Sequence, residues 1–286
     1  MRGSGYALAE PVRAGAGETF FEHSIKARLP LTQSRQNGER GIPENEWRAP
    51  QVSRVLLCRV DRLTDLTYDI RELRLAIEAG GPFDFRAGQY AQVEFASGLA
   101  RHYSMASTPA EEQLAFQVRR GADGITGAYV AQELKLGDKL KVSGPLGSSY
   151  LREEHAGPVL LVAGGSGLAP LYSILCVLLA RGSGESVSLY FGVRSERDVY
   201  HERLLADLAA KHDKFSYRIV LSEPGGETSR RRGLVHQAVA EDLADAAGHT
   251  AYLAGPLAMV EAAGQLLLDR GAARREIHAD AFRSQP

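Results

Sequence analysis

Cysteine is almost absent. The two in 286 residues, Cys58 and Cys176, stand far apart among apolar neighbours and are expected as buried free thiols. Two isolated cysteines cannot supply a tetrathiolate metal or iron–sulfur centre. Excess charge of either sign is missing too: 34 Lys and Arg against 35 Asp and Glu leave a formal net charge of −1. That gives none of the basic field on which non-specific nucleic-acid binding relies. Long apolar runs are also lacking. The richest stretch, Leu168 to Ala180, contains Tyr172 and Ser173 and falls short of the roughly 18 to 20 residues that span a bilayer. No apolar signal core follows Met1-Arg2-Gly3-Ser4, so a cytoplasmic protein with neither nucleic-acid nor membrane partners is expected.

What is present is 44% hydrophobic and 24% charged, suited to a globular chain of about two domains. After a polar arm over residues 1–51, residues 52–152 carry short β-rich runs broken by turn residues: Val55–Val60, Arg71–Ile77, Tyr90–Phe95 and Leu114–Arg119. Such spacing predicts an antiparallel barrel. Over 153–286 the period changes. Val159–Ala163 reads as a buried strand, and Leu168, Leu171, Leu175 and Leu178 recur at helical spacing. Strands at Val187–Val193, Ser216–Leu221 and Ala251–Leu253 alternate with helices near Glu202–Ala210, Leu234–Ala240 and Ala258–Leu268, a doubly wound α/β pattern.

The chemistry concentrates in a few stretches. Arg101-His102-Tyr103-Ser104 ends a predicted strand. Alternation along an extended segment lets Arg101 and Tyr103 share a face, offering a guanidinium to a pyrophosphate and a ring to a planar heterocycle. Ser104 adds a hydroxyl, and the combination suits a flavin. Gly124-Ile125-Thr126-Gly127 opens a helical pattern, and a glycine-rich turn at a helix start presents free N–H groups to a diphosphate. Arg119 reads either as a ligand or as an exposed strand residue. Gly164-Gly165-Ser166-Gly167 closes the first strand of the α/β half, followed by Pro170 in the first turn of a helix. Counted from Gly165, a dinucleotide fingerprint wants a small residue where Pro170 stands, so this is a different glycine turn.

In order, Gly88-Gln89-Tyr90, Arg101-x-Tyr103-Ser104, Phe116-x-Val118-Arg119, the glycine-led helix start and Ser143-Gly144-Pro145-Leu146-Gly147 resemble the ferredoxin–NADP reductase superfamily. Within it the chain is most similar to the reductase components of bacterial aromatic-ring dioxygenases. The resemblance covers about residues 52–282. It implies a six-stranded flavin-binding barrel followed by a parallel-sheet nucleotide-binding domain. It also implies that Arg101 binds the FAD pyrophosphate, Tyr103 packs on the flavin and Ser104 lies near its reactive nitrogen.

Departures from the family matter as well. Gly127 stands where the family has Ser or Thr, leaving Thr126 to supply that contact. Ala254-Gly255-Pro256 replaces Cys-Gly-Pro, so the thiol that flanks the nicotinamide is lost. Ser222-Glu223 replaces the Ser-Arg of NADP-specific relatives; a carboxylate bonds ribose hydroxyls and repels a 2′-phosphate, which points to NADH. Arg230-Arg231-Arg232 either compensates or forms a solvated loop. Phe282 either lies close to the flavin or closes a core at a sheet edge.

The N-terminal arm resembles the opening of a plant-type ferredoxin, with Arg35, Arg40 and Pro43 in the ligand positions. Residues 1–51 are therefore expected as a cluster-less ferredoxin remnant or an unrelated linker arm. The expected function is an NADH-dependent FAD reductase that serves a separate ferredoxin or oxygenase component. A reductase of free flavin and a flavin-less regulatory subunit are the other readings.

Overall fold

A computed structural model describes residues 53–96, 98–120, 124–152, 157–182 and 184–282. The readings made for residues 1–51, including Arg35, Arg40 and Pro43, lie outside them.

Six antiparallel strands form the first half: β1 (Arg54–Asp65), β2 (Ile70–Ala79), β3 (Tyr90–Glu94), β4 (Ala100–Ser104), β5 (Gln113–Arg119) and β6 (Lys139–Leu146). Their order in the sheet is β4-β3-β6-β1-β2-β5. A bridge between Met105 and Phe116 brings the two edges together and nearly closes a barrel. Alternation fills its interior: Leu56, Cys58 and Val60 of β1 and Leu73 and Leu75 of β2 are fully buried, with Leu57, Arg59 and Arg74 between them on the outer face. Helix α1 (Ile125–Gln132) lies between β5 and β6. Its carboxyl end is held by Arg71, whose Nη1 donates to the Val130 carbonyl at 2.8 Å, a cation against the negative end of the helix dipole.

The second half is a wholly parallel sheet of β7 (Val159–Gly164), β8 (Val187–Val193), β9 (Phe215–Leu221), β10 (Arg231–Arg232), β11 (Thr250–Pro256) and β12 (Ile277–Phe282). Its order is β10-β9-β8-β7-β11-β12. Helices α2 (Leu168–Arg181) and α3 (Glu202–Lys211) pack on one face, α4 (Val235–Asp242) and α5 (Leu257–Asp269) on the other. With helices on both faces, β7 is buried at every residue. The strands and helices expected from periodicity are present; β10 and β12 were not anticipated. Among the described residues no helix is long and apolar enough to cross a membrane.

Strand β5 joins the halves. Leu114, Phe116 and Val118 point into the barrel, while Ala115 packs with Ala106 and with Ala169 of α2. The small side chains let α2 come close enough for Ser173 Oγ to donate to the Ser107 carbonyl at 2.7 Å. Ser107 Oγ in turn accepts the Ala115 N–H at 3.0 Å. Ser173 is fully buried, so Ser173→Ala removes this donor with no solvent at hand to replace it. It should lower the unfolding free energy by about 1–2 kcal/mol, read from urea denaturation; an unchanged midpoint and slope would show that the bond carries no net weight.

Candidate functional site

A cleft of about 500 Å³ lies beyond the carboxyl ends of the parallel strands, against Gly164 of β7, Gly192 and Val193 of β8, Ser222 after β9 and Pro256 of β11. The strand order reverses between β7 and β11, the place where an open α/β sheet offers a crevice to a ligand. Asp69, Ile70 and Arg119 of the barrel half supply the opposite wall. A cavity of about 450 Å³ adjoins it, sharing Arg119, Gly164, Gly165 and Pro256 and adding His102, Tyr103, Ser104, Gln117, Ser166, Ala169 and Phe282.

The turn at the junction is tight for steric reasons. Gly165 sits at φ +55°, in the left-handed region that glycine enters without penalty. A Cβ on Gly167 would lie 2.1 Å from the Ala254 carbonyl oxygen, so backbone packs on backbone there. The residues from Leu168 onward continue as α2, with Pro170 in its first turn.

Several residues singled out in the sequence meet here: Tyr103, Ser104, Arg119, Gly164, Gly165, Ser166, Pro256 and Phe282 all border the cleft or its neighbour. Phe282 ends the edge strand β12, is half-buried and lines the second cavity. Arg119 spans both cavities and pairs with Asp69. Burial pushes the Tyr103 phenol up to about 12, with Arg101 pulling the other way, so the ring is neutral. Ala254 is buried in the core of the α/β half, its side chain outside both cavities; Gly255 and Gly167 form the packed floor beneath the turn. Glu223 is exposed next to Ser222, its N–H donating to the Arg194 carbonyl at 2.7 Å.

Arg101, Gly124, Thr126 and Gly127 border neither cavity. Gly124 is the N-cap of α1, and the first bond of the helix runs from Ala128 N–H to the Gly124 carbonyl at 2.9 Å. The first-turn N–H groups of Ile125, Thr126 and Gly127 therefore lack intrahelical acceptors. Thr126 Oγ1 is buried without a hydrogen-bond partner among the described residues. Arg101 is exposed, donates to the Ala100 carbonyl at 2.9 Å and makes no ion pair among the described residues. Donors without acceptors are what an FAD diphosphate requires, and the residues present fit that group.

Sequence reasoning missed Asp280. Ser104 Oγ donates to Asp280 Oδ2 at 3.2 Å, joining β4 to β12. The available signal was the two-residue spacing from Phe282, which puts both side chains on one face of a strand. The arginine run also differs from expectation: Arg231 and Arg232 form β10, paired with β9, so the segment is no solvated loop. Nor are its first two charges free. Arg230 makes a bidentate pair with Glu202 at 2.7 and 2.8 Å and reaches Glu196 at 2.8 Å; Arg231 pairs with Asp242 at 2.7 Å and with Glu241.

Two family models match the chain: an oxidoreductase FAD-binding domain over residues 57–150 and an oxidoreductase NAD-binding domain over 161–265. The chain is 42% identical over 241 residues to the ferredoxin–NAD(P)(+) reductase component of naphthalene 1,2-dioxygenase/salicylate 5-hydroxylase systems of Ralstonia sp., covering 84% of this chain and 73% of that protein. It is 38% identical to the corresponding component of the Pseudomonas putida naphthalene 1,2-dioxygenase system, with the same coverage. Among solved structures, a cytochrome P450 reductase of Amycolatopsis superposes with a TM-score of 0.77 at 34% identity, over 82% of this chain and 72% of that one.

Asp280 provides a test of the site's electrostatics. Burial raises its pKa above the ordinary carboxylate value, and the Ser104 hydrogen bond offsets part of that rise. A carboxyl raised on folding favours the fold fully below its unfolded pKa, and the contribution is lost as pH rises through the folded value. Asp280→Asn should therefore raise the melting temperature above neutral pH, with the gain shrinking as pH falls into the ordinary aspartate range. Calorimetry across that range checks it, and a gain independent of pH would contradict the assignment.

Proposed function

Because the chain belongs to the ferredoxin–NAD(P) reductase family of FAD- and NAD-binding oxidoreductases, we propose that it takes hydride from NADH onto FAD and delivers electrons to a separate ferredoxin or oxygenase component. The observation that carries this reading is the pair of adjoining cavities. The flavin-type residues Tyr103 and Ser104 border one, the strand ends of the nucleotide sheet border the other, and Gly164, Gly165, Arg119 and Pro256 belong to both. The domain limits adopted are 52–152 for the FAD-binding barrel and 153–286 for the NAD-binding half; the matched segments 57–150 and 161–265 support them.

Bound FAD supplies the chemistry, accepting hydride from the nicotinamide and releasing electrons to the partner. The chain supplies placement. Arg101, which makes no ion pair among the described residues, would hold the diphosphate together with the α1 amides and Thr126, whose donors lack other acceptors. Tyr103 packs its neutral ring on the flavin, and Ser104, bonded to Asp280, holds a proton beside it. The turn Gly164–Gly167 and the Gly255–Pro256 segment let the nicotinamide approach closely, a matter of positioning worth large factors in rate. Arg119, with Asp69 beside it, stands at the junction of the two sites. Phe282, which lines the same cavity from the end of β12, would pack against the bound flavin.

Coenzyme choice follows from charge. Glu223 meets the adenosine ribose with a carboxylate, and Arg230 and Arg231 are engaged by four acidic side chains, leaving them poor partners for a 2′-phosphate. We assign the reaction to the cytoplasm, where NADH is regenerated. The N-terminal arm lacks cysteines, and we read it as holding no cluster.

Steady-state kinetics should show a higher kcat/KM with NADH than with NADPH, and Glu223→Arg should narrow the gap by removing like-charge repulsion. Equal or better use of NADPH by the unaltered protein would show Glu223 to be without that role.

The purified protein should carry FAD without stoichiometric iron or acid-labile sulfide. It should reduce [2Fe–2S] ferredoxins encoded beside it at a rate that falls as salt screens their docking. Faster reduction of free FMN than of every such ferredoxin would move the assignment to a flavin reductase.

A further inference from the structure

Gln117 is the one polar residue facing outward from β5 that is almost fully buried, at 4% exposure. Its side chain meets two consecutive residues of the other half. Gln117 Oε1 and Tyr200 Oη are 2.9 Å apart, and Gln117 Nε2 lies 2.9 Å from His201 Nε2. Tyr200 Oη is also 3.1 Å from the carbonyl oxygen of Gly165, the residue at φ +55° that opens the nucleotide turn. Three side chains thus link the flavin barrel to the peptide around which that turn is built.

Proton counting orients the chain. A phenol has a single proton. With the amide oxygen toward Tyr200, the hydroxyl would have to donate both to that oxygen and to Gly165, and one of the two oxygen pairs would meet without a hydrogen. Turning the amide over, an exchange of near-identical groups fixed only by the network around them, gives every contact one donor and one acceptor. His201 Nε2–H then donates to Gln117 Oε1, Gln117 Nε2–H donates to Tyr200 Oη, and Tyr200 Oη–H donates to the Gly165 carbonyl. That carbonyl also accepts the Leu168 N–H from the start of α2, so both its lone pairs are used.

The backbone is bent to make this possible. His201 is the one non-glycine residue among those described with positive φ, at 58°. A side chain in the left-handed region is uncommon, and strain that persists is held by its surroundings and clusters at functional sites. Here it turns the imidazole into the junction, stacked on Tyr172 with ring centres 5.3 Å apart and edge-on to Tyr200 at 5.0 Å. Burial lowers the His201 pKa below the ordinary imidazole value, while Glu72 acts in the other direction and Arg74 in the same one.

The geometry points to Tyr200, Gln117 and His201 as positioning residues for the nucleotide turn: through Tyr200 the flavin half grips the Gly165 carbonyl and sets where the NADH nicotinamide comes to rest. The inference rests on the NADH reading above and deepens it. None of the three side chains takes part in the chemistry; they act through the turn.

The test uses FAD-loaded enzyme, unaltered and as Tyr200→Phe, Gln117→Met and the double variant. Three quantities are read: the NAD+ dissociation constant from the flavin absorbance, the stopped-flow rate of flavin bleaching by NADH, and FAD content. Each single variant should weaken NAD+ binding and slow bleaching about five- to tenfold, the scale of one buried hydrogen bond, with reduction by dithionite unchanged in both and FAD content unchanged in Tyr200→Phe, whose side chain borders neither cavity. Because both act through one carbonyl, the double variant should be no worse than the poorer single one. Singles within about twofold of the unaltered enzyme, a double variant equal to the product of the singles, or loss of FAD by Tyr200→Phe would each overturn the assignment. If NADH fails to bleach the unaltered enzyme, the coenzyme reading falls and this inference falls with it.

Discussion

The hydrogen bond from Ser173 Oγ to the Ser107 carbonyl, at 2.7 Å, fixes the approach of α2 to β5, and the cleft depends on that approach. The glycine turn begins α2, and Arg119 and Gln117 stand at the far end of β5. Any change in the distance between helix and strand moves the nucleotide turn relative to the residues assigned to the flavin. Alanines on both sides of the contact allow the close fit, and burial leaves water no part in it.

Much of the architecture was legible because its periods are local. Alternation at Leu56, Cys58 and Val60 marks a strand with one face in a barrel, and Leu168, Leu171 and Leu175 mark a helix on a sheet. The glycine turn was legible from composition, although its reason, the pressure of the Ala254 carbonyl on Gly167, belongs to a contact almost ninety residues away in sequence. Tyr103, Ser104 and Phe282 could be named because they sit in short ordered motifs. Tyr200 and His201 could not, since each gains its meaning from Gln117 on β5 and nothing in their immediate sequence announces it; Asp280 was marked only by its spacing from Phe282. The arginine run was ambiguous for the same reason, since its fate was decided by Glu196, Glu202, Glu241 and Asp242 rather than by its neighbours.

The charges around the cleft are arranged in closed sets. Asp198 shows the pattern: burial works to raise its pKa, but bonds from Ser195, Tyr68 and Arg194 outweigh that and hold the carboxyl below its ordinary value. Tyr68 comes from the barrel half, so this set also crosses the junction. Arg194 meets Asp198 at 3.0 Å and Asp69 at 3.5 Å. With cations and carboxylates matched on the walls, the coenzyme preference proposed above would rest on exposed groups such as Glu223, beside Ser222 of the cleft.

The shared core has a consequence for how the molecule comes apart. Ile70, Ala87 and Leu151, from the barrel half and the segment that follows it, are built into the same apolar cluster as Leu171, Ile174 and Leu175 of α2. The barrel keeps an interior of its own, but a fragment cut between the halves would present the part of this shared cluster that folding normally hides. Opening the nucleotide sheet therefore strips apolar cover from Ile70, Ala87 and Leu151, which couples the stability of the two halves through this one cluster.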